Sequence, residues 1–366
     1  MKKWGIGIVS VLFVAAATAG AQAEVGVTAA EIVIGQSAAL DGPAKELGLG
    51  MQAGMKICFD AVNEQGGVNG RKIRLVSYDD GYEPARCAEN TKKLVQEAFV
   101  LAGYVGTPTS VEAVPIAEEN KVPFIGAFTG AEFLSNPIKK YVFNVRGSYY
   151  DETEGLVVHL IGDRQIMSIA CFYQNDAYGQ AGLQGVQRAL DRRGLSLVAE
   201  GTYERNTTNV AEGLAKINAA NPEAVIMIGA YAPCAEFIKQ AKSGGMDKVL
   251  FCNISFVGSE ALRSALGSAG DGVFISQVVP FPWDTSVGLV REYGAVLAKY
   301  APDRKEDFIT LEGYMVGRFL VEAIKACGAD LSREKMVSTI ESVRRFSLGG
   351  VGLTFSETDH QGMDRI

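Results

Sequence analysis

The pattern that most limits the fold is an alternation of short apolar strands with amphipathic helices, which restarts near the middle of the chain. Glu31–Gln36 is a β-rich run. Met51, Met55, Cys58, Phe59 and Val62 then recur at helical spacing, and Gly66-Gly67 ends that helix. Lys72–Tyr78 alternates apolar and polar residues as a strand does, Glu83–Ala98 is helical, and Phe99–Val105 and Val122–Ala127 read as buried strands. Past Tyr150 the alternation begins again. Gln165–Tyr173, Ser196–Tyr203, Glu223–Gly229 and Lys248–Ile254 are strand-like, separated by helical patterns at Gly179–Arg193, Asn209–Ala219 and Ala232–Ser243. Units of this length imply a parallel sheet, because a helix must carry the chain back across the sheet before the next strand starts. The restart implies two α/β lobes rather than one large sheet. Gly272–Val279 reads as a strand returning the chain to the first lobe, and helical patterns follow at Ser286–Tyr300, Asp307–Gly328 and Ser332–Arg344. The expected partition is residues 31–146 with 279–349 in one lobe and 147–278 with 350–366 in the other.

The amino-terminal residues bear on compartment. Lys2 and Lys3 precede the uncharged apolar run Gly5–Gly20, and Ala21-Gln22-Ala23 is a small-x-small triplet. This is the layout of a secretory signal cleaved after Ala23, on a run too short and wrongly flanked for a membrane span. The mature chain would have 343 residues (366 − 23), too many for one compact core, and losing Lys2 and Lys3 would take its formal charge from −7 to −9. That acidic balance argues against a nucleic-acid partner, which needs a basic face. Six cysteines (Cys58, Cys87, Cys171, Cys234, Cys252 and Cys327) contain no C-x-x-C pair, and the histidines are only His159 and His360, so no metal site is expected. An oxidising compartment permits disulfides. Cys58 and Cys87, on or beside the first two strand–helix units, are the expected pair, and Cys171 and Cys252 are expected to be buried free thiols.

No motif for chemistry emerges. Gly48-x-Gly50-x-x-x-Gly54 lies more than ten residues beyond its strand, too far for a dinucleotide loop, and its glycines suit a close helix approach. There is no phosphate-cradling G-x-x-x-x-G-K-[ST] loop and no G-x-S-x-G elbow. The informative residues are those at strand ends, where open α/β sheets bind ligands. They read Gly106-Thr107-Pro108-Thr109-Ser110, Phe128-Thr129-Gly130-Ala131, Gln174-Asn175-Asp176-Ala177-Tyr178-Gly179, Ala230-Tyr231 and Ser255-Phe256-Val257. Singly, each hydroxyl could be a helix cap. Together they offer hydroxyls and free N–H groups for an anion, and aromatics for pocket walls.

At these residues the chain resembles the periplasmic leucine/isoleucine/valine-binding proteins and the wider type I solute-binding family. The resemblance is carried by "IVIGQSAALDGPAKELG", "GMKICFDAVNEQGGVNGRKIRLVSYDDGYEP", "FVLAGYVGTPTS", "VPFIGAFTGAEFL", "YQNDAYGQAG" and "IMIGAYAP". It implies two Rossmann-like lobes joined by three crossovers. They would close on a small ligand and hand it to the permease of an ABC importer, without cofactor or catalysis, and as a monomer. By position, Thr107 corresponds to a carboxylate-binding hydroxyl, and Phe128 to a residue whose carbonyl helps hold an amine. Gly130 stands where a threonine is usual, and Tyr178 and Tyr231 correspond to clamping tyrosines of the second lobe. Thr129, Tyr150 and Asp151 complete the expected ligand site with Ser255. Two positions depart from the amino-acid binders: Leu47 stands for an aromatic, and Ser255 for the glutamate that pairs with an α-ammonium. Asp151 and Glu312 are the candidates to supply that carboxylate, and Arg146, Tyr149, Tyr150 and Asp151 fall at the first lobe crossing. The ligand would be a small amino acid or related carboxylate. The alternatives are another organic or aromatic carboxylate, a ligand sensor for a membrane receptor, and, most remotely, an exported enzyme.

Overall fold

The structure, a computed structural model, describes Met1 and residues 24–366, so the expected signal sequence lies outside the described residues apart from Met1. From Glu31 the chain runs β1 (Glu31–Ala38), α1 (Lys45–Glu64), β2 (Lys72–Asp79), α2 (Pro84–Leu94), β3 (Val100–Ala102), α3 (Thr107–Glu119), β4 (Phe124–Ile125) and β5 (Val142–Phe143). These strands form a parallel sheet in the order β2-β1-β3-β4-β5. Helix α4 (Tyr149–Val158) leads into β6 (Ile169–Gln174), α5 (Ala177–Asp191), β7 (Glu200–Tyr203), α6 (Ala211–Ala219), β8 (Ala224–Ile228), α7 (Tyr231–Ser243), β9 (Leu250–Asn253), α8 (Ser259–Leu266) and β10 (Val273–Ile275). The second parallel sheet is ordered β10-β9-β8-β6-β7. Helices α9 (Gly288–Tyr300), α10 (Phe308–Cys327) and α11 (Arg333–Val343) and the hairpin of β11 (Arg345–Leu348) and β12 (Val351–Thr354) complete the chain.

The strand-like run Gly272–Val279 contributes β10, which pairs with β9 as the edge of the second sheet; the chain turns back only beyond it. The segment from Gly350 onward, expected with the second lobe, lies against the first sheet and the crossing. Phe355 meets Phe143 and Phe319 with ring centroids 5.8 and 5.1 Å apart, and Asn144 exchanges backbone hydrogen bonds with His360 and Gly362.

Successive residues of a strand face opposite sides of its sheet, and β1 divides the first core accordingly. Ile32 and Ile34 pack with α1, α9 and α10, whereas Val33 packs with α2 and α3. Cys58 belongs to the first cluster and Cys87 to the second. The expected Cys58–Cys87 disulfide is therefore not formed: the sheet stands between the two side chains, and both are buried free thiols. Proximity in sequence to the same strands was a poor guide, because the chain steps one way along the sheet from β1 to β2 and the other way from β2 to β3, and right-handed crossovers then place α1 and α2 on opposite faces.

Helices α1 and α10 approach so closely that glycine is required at their contact. A Cβ on Gly54 would lie 2.1 Å from the Thr310 carbonyl oxygen, and one on Gly313 would lie 2.4 Å from that of Met51. At Gly50 the obstacle is side chain rather than backbone, with Ile309 Cγ2 2.7 Å and its Cβ 3.0 Å away. Gly54→Ala should thus destabilise the protein by about 1–3 kcal/mol through overpacking against backbone, and Gly50→Ala by less. Urea-denaturation midpoints of the two variants check the order.

Candidate functional site

The carboxyl ends of the two sheets face one another, and the loops leaving them meet in a buried cluster. Gly106 holds φ at 98°, a conformation that favours glycine, and a Cβ there would strike the Tyr82 ring at 2.2 Å. It delivers the chain into α3, whose first residues Thr107, Thr109 and Ser110 are buried. Thr107 Oγ1 lies 2.7 Å from Thr129 Oγ1, so one hydroxyl donates to the other. Phe128 is held beside them by its N–H to the Tyr104 carbonyl and by its own carbonyl, which accepts from Gly106 N–H. Gly130 leaves room for Tyr149, whose N–H donates to the Gly130 carbonyl at 2.7 Å; a Cβ at Gly130 would lie 2.8 Å from that nitrogen.

The facing wall is aromatic. Phe256 stacks on Phe128 with centroids 5.3 Å apart, and Tyr178 lies 4.4 Å from Phe256 and 5.5 Å from Tyr149. All four rings are buried. The Tyr149 hydroxyl lies near the Thr107–Thr129 pair yet is buried without a hydrogen-bond partner in the protein.

Beneath the rings sits a buried charge cluster. Arg146, 1% exposed, donates from Nη1 to Glu312 Oε1 at 3.3 Å and from Nη2 to Glu152 Oε1 at 3.1 Å, and also reaches Ser255 Oγ. Its guanidinium lies 5.1 Å from the Phe128 centroid and 5.9 Å from that of Tyr149, in cation–π range. Glu152 accepts further from the Ser255 N–H (2.7 Å), Ser255 Oγ (3.0 Å) and Ser276 Oγ (2.6 Å). Two carboxylates surround one guanidinium, so a fully ionised cluster carries a surplus negative charge. Burial pushes the Glu312 carboxyl up to about 7, with Arg146 pulling it down and Glu152 adding to the rise.

At the rim, residues of the two sheets are already paired. Arg205 bridges Glu83 and Asp176, each at 3.0 Å, and Asn206 donates to Glu83 Oε1 at 2.7 Å. Gln174 Nε2 donates to the Tyr82 hydroxyl at 3.3 Å. These contacts describe a closed cleft.

Of the residues expected to bind, Thr107, Phe128, Thr129, Gly130, Tyr178 and Ser255 come together here. Tyr231, half-buried at the start of α7, lies at the rim against Glu46 of α1. Tyr150 and Asp151 do not enter. The Tyr150 ring lies under Arg188 at 4.3 Å and its hydroxyl donates to Gln184 Oε1, whereas Asp151 closes a capping box with Ser148 at the start of α4. Tyr149 enters the site in place of Tyr150, its neighbour in sequence. Glu312 does reach the cleft, but the carboxylate nearest Ser255 is Glu152, which the sequence reading missed. Its signal was available: Tyr149, Glu152 and Thr153 share one face of α4 at helical spacing. Among the described residues no group of three or more His, Cys, Asp or Glu could hold a metal ion.

The chain belongs to the periplasmic binding protein family, whose model matches residues 31–366. A leucine-, isoleucine-, valine-, threonine- and alanine-binding protein of Pseudomonas aeruginosa is 25% identical over 287 residues, 78% of this chain and 76% of that protein. Among solved structures, a possible leucine/isoleucine/valine-binding protein from Rhodopirellula baltica superposes with a TM-score of 0.88 at 38% identity, covering 92% of this chain and 93% of that one. A substrate-binding periplasmic protein from Ralstonia solanacearum superposes at 0.85 with 28% identity, covering 91% and 95%. Two parallel-sheet α/β lobes of the type I periplasmic binding architecture are thus the fold of this protein.

The charge cluster makes stability depend on pH. An acid whose pKa rises on folding holds its proton more tightly in the native state. Burying Glu312 therefore costs the native state nothing below about pH 4.5, where the carboxyl is protonated in both states. The cost grows as pH approaches 7, where the native carboxyl ionises. Stability should fall over this window, and Glu312→Gln should flatten the fall by on the order of 2 kcal/mol. Urea unfolding of both proteins at pH 5 and pH 7 measures it.

Proposed function

We propose that this protein is the periplasmic solute-binding component of an ABC importer of the branched-chain amino acid type, and that it closes on a small organic carboxylate. It binds its ligand without transforming it and passes it to the permease. The lobes that move are residues 31–146 with 279–349 against 147–278, and the segment beyond Gly350 stays with the first. The observation that carries the reading is the buried convergence of strand-end residues between the two sheets. Hydroxyls and helix-start N–H groups from one sheet face aromatics from the other, and the Tyr149 hydroxyl is left without a partner.

The ligand's acidic group is assigned to the hydroxyls of Thr107 and Thr129 and to the Gly130 N–H; the Phe128 and Thr129 N–H groups already donate to the Tyr104 and Ala127 carbonyls. The dipole of α3 favours an anion there. Tyr178, with Phe256, covers it from the second lobe, and Tyr231 guards the rim. The relatives named for amino-acid binding support the transport class. Ser255 and the occupied charge cluster beside it favour a carboxylate over an amino acid. A ligand that touches both lobes selects the closed state, so binding and closure are one equilibrium.

A thermal-shift panel of small carboxylates and amino acids, followed by calorimetry, should find a carboxylate that raises the melting point. Thr107→Ala should weaken it by about 1–3 kcal/mol, the range for losing a hydrogen bond to a charged group. Unchanged affinity in that variant would place the acidic group elsewhere.

A further inference from the structure

We propose that Arg146 is a built-in cation that fills the anionic end of the cleft and so bars ligands carrying an ammonium group. The inference rests on the cleft being the ligand site.

Two buried carboxylates, from α4 and α10, converge on a guanidinium that lies beside the faces of Phe128 and Tyr149. Carboxylates backed by aromatic faces form a site for an organic cation. Here the cation comes from the protein. Arg146 follows β5, and its guanidinium is fixed by Glu152, Glu312 and Ser255. Glu152 is in turn tied down by Ser255 and Ser276, so the guanidinium cannot easily leave its place. An ammonium group arriving here would meet a like charge at close range in a water-poor setting, where repulsion is strong. It would also find the oxygens of Glu152 already accepting from four donors.

The second carboxylate does not reverse this. The environment that pushes Glu312 up to about 7 lets a proton, rather than a ligand cation, remove the surplus charge. One donor of the cluster remains free: Arg146 Nε–H is buried with no acceptor in the protein. It suits a carbonyl, hydroxyl or carboxylate oxygen of a ligand. The class selected is therefore a small organic acid without an amine, with an oxygen acceptor turned toward Arg146.

Removing the guanidinium should turn the filled cation site into an open one. Arg146→Met should melt roughly 5–10 °C below the parent, because two buried carboxylates lose their partner. It should recover much of that loss in about 10 mM methylguanidinium or 3-methylbutylammonium, which the parent should ignore. The parent should also show no melting shift with leucine. If Arg146→Met does not fold, Arg146→Met with Glu312→Gln leaves Glu152 as the single unpaired carboxylate and should show the same rescue. Cations that stabilise parent and variant equally, or leucine that stabilises the parent, would overturn the proposal. Failure of the cleft reading is distinguishable. It would appear as a carboxylate response unaffected by Thr107→Ala, whereas the rescue reports only on the vacated guanidinium position.

Discussion

The ion pair between Arg146 and Glu152 sets the terms for the rest of the molecule. Both side chains are removed from water, and such a pair is tolerable only when nearly all of its remaining donors and acceptors are met, Arg146 Nε–H being the exception here. Meeting them draws on distant parts of the chain: Glu312 from α10, Ser255 from the end of β9, and Ser276 from the segment leaving β10. The cluster thereby ties the first crossing and both sheets to one point. Hinge, cleft floor and second-lobe loop cannot be rearranged independently without exposing or stranding a charge.

Around that point the two walls divide the work. The first sheet supplies rigid polar geometry through Gly106, Thr107, Thr129 and Gly130, each fixed by backbone contacts. The second supplies apolar cover through Tyr178 and Phe256. Ion pairs such as Arg205–Glu83 sit at the partly exposed rim, where each contributes little on its own. They are suited to a closure that can be reversed.

Much of this architecture was legible in the sequence, because strand–helix alternation is a strong periodic signal and its restart at Tyr150 marks the crossing. The glycines of α1 were read as a close-approach surface, and α10 is the helix that approaches. Shorter elements were missed: β5 has two residues, and the β11–β12 hairpin follows a helix with little alternation to announce it. Within the site, the polar strand ends were legible and the ionic floor was not. Tyr149 and Tyr150 are neighbours of the same type, and only the phase of α4, fixed by the Ser148 cap, decides which faces inward. Glu152 belongs to no motif, and its partners Ser255 and Ser276 lie 103 and 124 positions away, so nothing local marked it. The Cys58–Cys87 pairing failed for a related reason: nearness along the chain does not reveal which face of the sheet a helix covers.

All six cysteines are buried and unpaired. Desolvation pushes the Cys58 and Cys252 thiols up to about 12, and those of Cys87, Cys171 and Cys234 higher still. Buried and held in the thiol form, the native cysteines are expected to be poor targets for maleimides or iodoacetamides. The chain therefore carries its own silent background for site-directed spectroscopy. Two cysteines introduced on the lips where Glu83 and Arg205 face each other could be labelled in the otherwise unaltered protein, and the distance between the dyes would follow the opening of the cleft.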